Sequence, residues 1–346
     1  PSARRLLGHL RPERPLVLLV ILLTVGSVTF SVVGPKILGN ATNIIFEGII
    51  GKMLPAGMTK EQVIAALRAK GDNGQADLIS GMDIIPGQGI DFTKLAHVLL
   101  FVLGLYVLAS LCMWAQAYVL NGVVQRTALR MRTQVEEKLH RLPLNYYDTV
   151  ARGELLSRVT NDIDNVQQTM QQTFSQLLTS VLTLLGVLGM MLWISPILAL
   201  VALISVPLSI VVTAMIAKRS QPLFIEQWGQ TGQLNATIEE VFTGHALVKV
   251  FGRQDEVQST FDEKNEALFR ASAGAQFLSG IIMPAIQFIG NLNYVFIAVI
   301  GGLKVAGGSL SLGDVQAFIQ YSRQFSQPLT QVASMSNVLQ SGVASA

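Results

Sequence analysis

The sequence predicts an all-α membrane protein of six long transmembrane helices that extend into the cytosol. Three observations carry this. Half of the 346 residues are hydrophobic and only 14% are charged, too few to clothe a soluble domain of this size. The apolar residues gather in runs long enough to cross a hydrocarbon core of roughly 30 Å. The helical period of the second run also persists well past its apolar part.

The formal net charge is +3, and the basic residues are scattered. Nucleic acid would call for a concentrated basic stripe, so membrane lipids are the expected surroundings and nucleic acid is not a partner. Cys112 is the only cysteine and lies in an apolar run, which excludes a disulfide and a cysteine-based metal site. His9, His97, His140 and His245 fall on different predicted elements, so neither a catalytic nor a metal site is assigned. The pattern stops in mid-helix at Ala346, and a longer parent protein is expected.

Residues 1–14 set Leu6, Leu7 and Leu10 against Arg4, Arg5, Arg11 and Arg14. Such a basic amphipathic stretch predicts an elbow helix lying on the inner membrane surface. A cleaved signal peptide would need a small-residue cleavage site and a shorter apolar run. The domain from 15 to 346 then holds spans at about 16–47, 95–121, 171–194, 197–217, 276–302 and 314–340, the last apolar on one face only. Ser195-Pro196 cuts spans three and four apart in a tight turn, and Gly301-Gly302 through Gly313 does so for five and six.

Between spans one and two, residues 48–92 form an extracellular insertion. A helix is expected over 58–70, with Thr59 as cap and Val63, Ile64, Ala66 and Leu67 as its apolar side. Gly71-Asp72-Asn73-Gly74 reads as a turn and 84–89 as a Pro/Gly-rich return. A cap over the outer vestibule and a partner-binding module are the two roles open to it.

Orientation follows from Lys and Arg counted by loop. There are four in the N-terminal segment, seven in 122–170 and six in 218–272, against none at Ser195-Pro196 and one, Lys304, in the Gly-rich turn. The five in 48–94 are diluted over a long loop. Both ends and the two long loops are therefore predicted to be cytoplasmic. Val124, Ala128, Met131, Val135, Leu139 and Leu142 continue the period of span two. At ~1.5 Å per residue, a helix from 95 to 142 would be about 70 Å long and would project far from the bilayer. Pro143 should stop it, Gly153 marks a turn, and Asn161-Asp162 offers helix-starting side chains. The second loop repeats the plan, with breaks at Gly244 and Gly252. Two ordinary soluble helical loops would lack the stripe that runs straight out of a span.

Specific motifs sit at these tips. Tyr146-Tyr147-Asp148 and the run from Gly153 through Glu154, Leu155, Leu156, Ser157, Arg158, Val159, Thr160 and Asn161 to Asp162 resemble the first intracellular loop of ABC exporters of the lipid-flippase and multidrug type. Glu239-Glu240-Val241-Phe242-Thr243-Gly244-His245, with Val248-Lys249-Val250-Phe251-Gly252, is similar to their second. Pro35 and Gly39 in span one, and Phe318, Tyr321, Pro328 and Leu329 in span six, fit the same pattern. The resemblance covers the chain except 48–92 and extends to actinobacterial half-transporters.

It implies a domain-swapped dimer with an identical or paralogous second half-transporter, spans four and five crossing to the partner. It also implies short coupling helices near 153–162 and 243–251 that rest on nucleotide-binding domains. Gly153, Glu154, Ser157, Arg158, Asn161 and Asp162 would carry the first contact, and Gly244, His245, Lys249 and Phe251 the second. Arg158 and Asp162 could equally form a local ion pair. No G-x-x-x-x-G-K-[ST] phosphate loop occurs, so ATP and Mg belong to a nucleotide-binding domain expected after Ala346.

Span six is polar for a membrane helix, with Gln316, Gln320, Tyr321, Ser322, Arg323, Gln324, Ser326 and Gln327. Span five adds Gln287, Asn291, Asn293 and Tyr294 beside a kink expected at Pro284. Lipid would not tolerate this set, so it should face a wet cavity or another helix. Met283, Gln287, Asn291, Tyr294, Phe318, Gln320, Arg323 and Gln327 are the candidate substrate-cavity residues, with Phe288 nearby. Lys36 should snorkel to the membrane edge. Arg323 has Asp314 as its nearest acid on the span, and is predicted either to meet the anionic head of a substrate or to bond across the subunit boundary. The expected function is ATP-driven movement of a hydrophobic or amphiphilic compound (lipid, fatty acid or drug-like), with export as the first reading. An exporter-fold importer of a lipid or siderophore, and a channel or receptor without ATP coupling, are the alternatives.

Overall fold

The computed structural model describes residues 11–143, 145, 146, 153, 157 and 161–345, and its described elements are helical. A short 3₁₀ turn, Arg11–Glu13, leads into α1 (Arg14–Met53), with Pro15 in the first turn, where its missing N–H costs nothing. The rest of the expected elbow, residues 1–10, lies outside the described residues. There follow α2 (Lys60–Ala69), α3 (Asn73–Ser80), α4 (Phe92–His140), α5 (Ile163–Ile194), α6 (Pro196–Thr243), α7 (His245–Val250), α8 (Gln254–Gly280), α9 (Ile282–Ala306) and α10 (Leu312–Ser345). Among the described residues, five helical stretches are long and apolar enough to cross a membrane: α1, α4, α5, α6 and the joined α8–α9. This is an all-α, multi-pass membrane protein. At ~1.5 Å per residue, the 49 residues of α4 reach about 74 Å, more than twice the hydrocarbon thickness.

The chain divides into two units, one of residues 1–199 with 297–346 and one of residues 200–296. In the first, α1 packs along α4, and α10 packs on both α5 and α1. The buried positions of α1, including Val20, Thr24, Val28, Val32, Pro35 and Gly39, recur every three or four residues and trace one stripe. At its lower end Val20 meets Leu120, Val124, Val166 and Met170 in a core shared by α1, α4 and α5. Glu13 closes that end by accepting from Arg126 at 3.3 Å and Arg130 at 3.1 Å. Lipid is as apolar as these side chains, so packing and not dehydration holds the helices together. Small residues let the backbones approach. A Cβ on Gly34 would lie 2.6 Å from the Tyr106 hydroxyl, and one on Gly39 would meet the Gly313 carbonyl of α10.

The insertion forms a small core of its own, Val63, Ile79 and Ile84, roofed by Leu54, Leu67 and Met82. Thr59 and Gln62 make a reciprocal capping box at the start of α2. The sequence reading missed α3. Gly71-Asp72-Asn73-Gly74 reads as a turn, Gly71 is left-handed (φ +83°), and Asp72 makes no side-chain cap. The helix after it rests on tertiary contact, with Ala76 and Ile79 buried. The insertion is tied to the end of α1, where Glu47 accepts from the Asp83 N–H at 3.0 Å, and to the α9–α10 turn, where Gly308 lies against the Asp77 carbonyl.

A single buried residue, Ser195, separates α5 from α6, with its hydroxyl accepting from the Leu198 N–H at 3.4 Å. In the second unit, Gly274 of α8 faces Leu223 of α6, and Lys264 donates to Gln233 at 3.2 Å. In place of the kink expected at Pro284, the helix is interrupted at a single residue, Ile281, one turn earlier. Helix α8 ends at Gly280 and α9 starts at Ile282, so Pro284 occupies a first turn that needs no donor. The apolar side chains of this unit, among them Ile204, Val211, Met215, Phe277, Met283 and Phe288, are largely exposed.

Candidate functional site

Helix α6 ends at Gly244, which bends the chain into the six residues of α7. Gly252 (φ +63°) then turns it into α8, a left-handed position that a side chain would strain. The sequence places both breaks. The result is a short helix across the tip with apolar side chains held outward: Phe242 is 84% exposed, Val250 79% and Phe251 72%. His245 and Lys249 are exposed beside them. An open cleft of about 520 Å³ lies between α6, α7 and α8, lined by Glu240, Leu247, Phe251, Arg253 and Glu256 among others. Exposed aromatics next to a cation, on a polar tip, make a surface suited to a protein partner.

At the other tip, Gly153, Ser157, Asn161 and Asp162 are described, and Glu154 and Arg158 lie outside the described residues. Helix α5 starts at Ile163, just after Asn161 and Asp162 as the sequence predicts, but without their side chains capping it. Asn161 donates backward to the Ser157 hydroxyl at 3.2 Å, Asp162 makes no cap, and the two residues form a wide π-type turn. The foot of α5 is held by buried Ile163 and Val166, and beside them Asp164 makes an exposed pair with Arg132 of α4 at 2.5 Å.

The candidate cavity residues divide between the units. Met283, Gln287, Asn291 and Tyr294 form one exposed stripe on α9 at spacings of four, four and three. On α10, Arg323 and Gln327 are exposed and Gln320 is half-buried. Phe318 is fully buried inside the first unit and lines no open surface of this chain. Tyr321 is buried beside it and donates to the Val32 carbonyl at 2.6 Å.

Lys36 does not snorkel. It pairs with Asp314 of α10, itself held by the Ser311 hydroxyl at 2.8 Å. Ser311 and Asp314 form a reciprocal cap at the start of α10: the Asp314 N–H donates to Ser311 Oγ at 3.1 Å and the Ser311 N–H to Asp314 Oδ2 at 3.3 Å. Asn43 straps the same place, accepting from the Gly313 N–H at 2.7 Å and donating to Ser311 Oγ at 3.0 Å, while Thr42 bonds Gln316. The contact joins residues 278 apart, and no local spacing announces it. Sequence reasoning also passed over the glutamines at the start of α5. Their signal was visible as the pairs Gln167-Gln168 and Gln171-Gln172, four residues apart.

Residues 17–329 match the family of ABC transporter transmembrane regions. Over 345 residues the chain is 54% identical to the fatty acid ABC transporter ATP-binding/permease protein of Mycobacterium bovis, covering all of this chain and 55% of that protein. It is 35% identical to the uncharacterized ABC transporter ATP-binding protein YfiC of Bacillus subtilis, again over the whole chain and 50% of the relative. An ATP-dependent lipid A-core flippase of Syntrophus aciditrophicus is 23% identical over 71% of the chain and 41% of its own length. The chain thus spans about half the length of the curated relatives it matches. It belongs to the family of ABC transporter transmembrane regions.

Proposed function

We propose that this chain is the membrane half of an ATP-driven half-transporter that moves a fatty acid or a similar amphiphile across the cell membrane by alternating access, in the export direction. The observation that carries the reading is α7. It is a short helix with exposed Phe251, Val250 and Lys249, at the end of the 48-residue α6, which runs well beyond a bilayer's thickness. A partner pushing on α7 moves the long helices continuous with it, and with them the spans. Nucleotide-binding domains holding ATP and Mg are the proposed partners at α7 and at residues 153–162. The unmatched half of the relatives supports their presence in the parent protein.

In this reading α10 is the sixth crossing, both ends are cytoplasmic by their Lys and Arg content, and residues 48–92 cap the outer side. A second half-transporter completes the unit, with spans four and five exchanged. The division of the chain at 199 and 297 supports the exchange, because it sets those two spans apart from the other four. So do their exposed apolar side chains. The amphiphilic substrate is supported by the polar, mostly uncharged faces of α9 and α10, and by the fatty acid transporter that shares more than half of this sequence.

The test is uptake of a radiolabelled long-chain fatty acid by inside-out vesicles and by intact cells carrying the full-length protein. ATP-dependent uptake by the vesicles supports export, and energy-dependent uptake by the cells reverses the direction. Equal movement with and without ATP in both overturns the proposal.

A further inference from the structure

Helix α5 carries a second polar surface, distinct from the candidate residues of α9 and α10. Gln168, Gln171, Gln172, Ser175, Gln176 and Thr179 recur at helical spacing and line one open cleft of about 530 Å³. Met113 of α4 and Gln331 of α10 complete its walls. The opposite face of α5, with Val166, Thr169 and Met170, is buried in the core. From Gln168 to Thr179 the cleft extends for ~17 Å, about half of the hydrocarbon thickness. In the proposed orientation it lies at the depth of the inner leaflet.

Three features separate this cleft from ordinary packing between helices. Its volume falls in the range of small-molecule sites. Two of its walls are pinned: Gln116 donates to the Ser175 hydroxyl at 3.4 Å, and Ser180 donates to Gln331 Oε1 at 3.0 Å. Its polar lining is entirely carboxamide and hydroxyl, with no charged side chain. Each carboxamide offers two N–H donors and an acceptor oxygen. A phosphate dianion would want Arg or Lys, and a quaternary ammonium would want a carboxylate or an aromatic cage. Neither is present. Neutral donors and acceptors together match a protonated carboxyl group, which both accepts and gives hydrogen bonds, and Met113 supplies apolar contact for the chain attached to it.

We propose that the cleft between α4, α5 and α10 is the head-group subsite of the transporter, where Gln172 and Gln176 hydrogen-bond the carboxyl group of a long-chain acid. This rests on the reading that the chain moves an amphiphile and adds where and by what chemistry the head is held. Recognition by neutral amides has a signature: affinity changes little with ionic strength, unlike capture by a cation.

The test is equilibrium binding of tritiated oleate to the full-length protein in nanodiscs, without nucleotide. Unlabelled oleic acid, its methyl ester and dodecyltrimethylammonium serve as competitors. Wild type should prefer the acid over the ester. Gln172→Leu with Gln176→Leu should weaken oleate at least about tenfold, the loss of one to two hydrogen bonds. A second variant, Gln172→Glu, keeps the polarity of the site and should turn its preference toward dodecyltrimethylammonium.

Unchanged oleate affinity in the Leu pair, no change of preference in Gln172→Glu, or equal affinity of acid and ester overturns the subsite. An efficient disulfide between two protomers carrying Gln176→Cys also overturns it, by giving this face to the subunit contact. A wild-type protein that binds none of the three ligands instead overturns the reading of the substrate itself.

Discussion

Replacing Lys36 by Met removes the cation that faces Asp314 and leaves the carboxylate on the seam between α1 and α10. Both side chains are mostly buried, 28% and 17% exposed. Removing one partner of a fully buried pair costs about 3–5 kcal/mol because the other charge is left uncompensated. The residual exposure, and the two bonds that Ser311 makes to Asp314, bring this to about 2–3 kcal/mol. Asp314→Asn strands the ammonium in the same way but keeps an acceptor for the Ser311 cap, so about 2 kcal/mol is expected. The double variant strands nothing and should lose only about 1 kcal/mol, a coupling of about 3–4 kcal/mol. The assay is the melting temperature of the purified full-length protein. At about 2 °C or more per kcal/mol, each single variant should fall by about 4–6 °C and the double by about 2 °C. Additive losses would refute the reasoning, because they would mean that the two charges do not depend on each other.

Other consequences can be checked independently. In a Cys112→Ser background, cysteines at Gly74 and Gly153 should react with a membrane-impermeant maleimide from opposite sides, and labelling of both from outside would invert the proposed orientation. Phe251→Ala, or Arg158→Ala at the other tip, should lower substrate-stimulated ATP hydrolysis several-fold while nucleotide binding is kept; full stimulation would detach that tip from the motor. Gly39→Val forces side-chain atoms into the Gly313 backbone and should cost at least about 1–3 kcal/mol. Gly104→Ala, with open space around it, is its control, and equal melting temperatures would dismiss the close approach. Arg323→Gln should slow transport of an anionic amphiphile while leaving its nucleotide-free binding at the α5 cleft unchanged, and unchanged transport kinetics would remove its role.

What the sequence made legible was whatever the backbone decides locally. The length of α4 follows from an unbroken helical period, the cap of α2 from Thr59 and Gln62, and the bend into α7 from Gly244 and Gly252. Lys36 was misread because its partner lies 278 residues away, and a lone lysine near a span end ordinarily reaches for water. Helix α3 was missed because its stability comes from Ala76 and Ile79 against neighbours and not from its own start signal. Phe318 was placed in a cavity because its neighbours are polar. Helical spacing sets it on the other face from Arg323, where α10 meets the rest of its unit. The α5 glutamines were overlooked for a simpler reason: the apolar stretch drew attention to where the span begins, and the polar face straddles that start.

The one-residue joint at Ser195 bears on how the protein is made. Two apolar arms joined by a single buried serine, with no Lys or Arg at the bend, leave no slack for the first arm to settle in lipid while the second waits in water. At ~5–20 residues per second, the apolar part of the second arm leaves the ribosome within seconds of the first. The two arms are therefore expected to enter the bilayer together, with their direction set by the basic segments on either side. A charged residue introduced at the bend would act on biogenesis before it could act on transport, and its mark would be protein lost from the membrane and not a slower transporter.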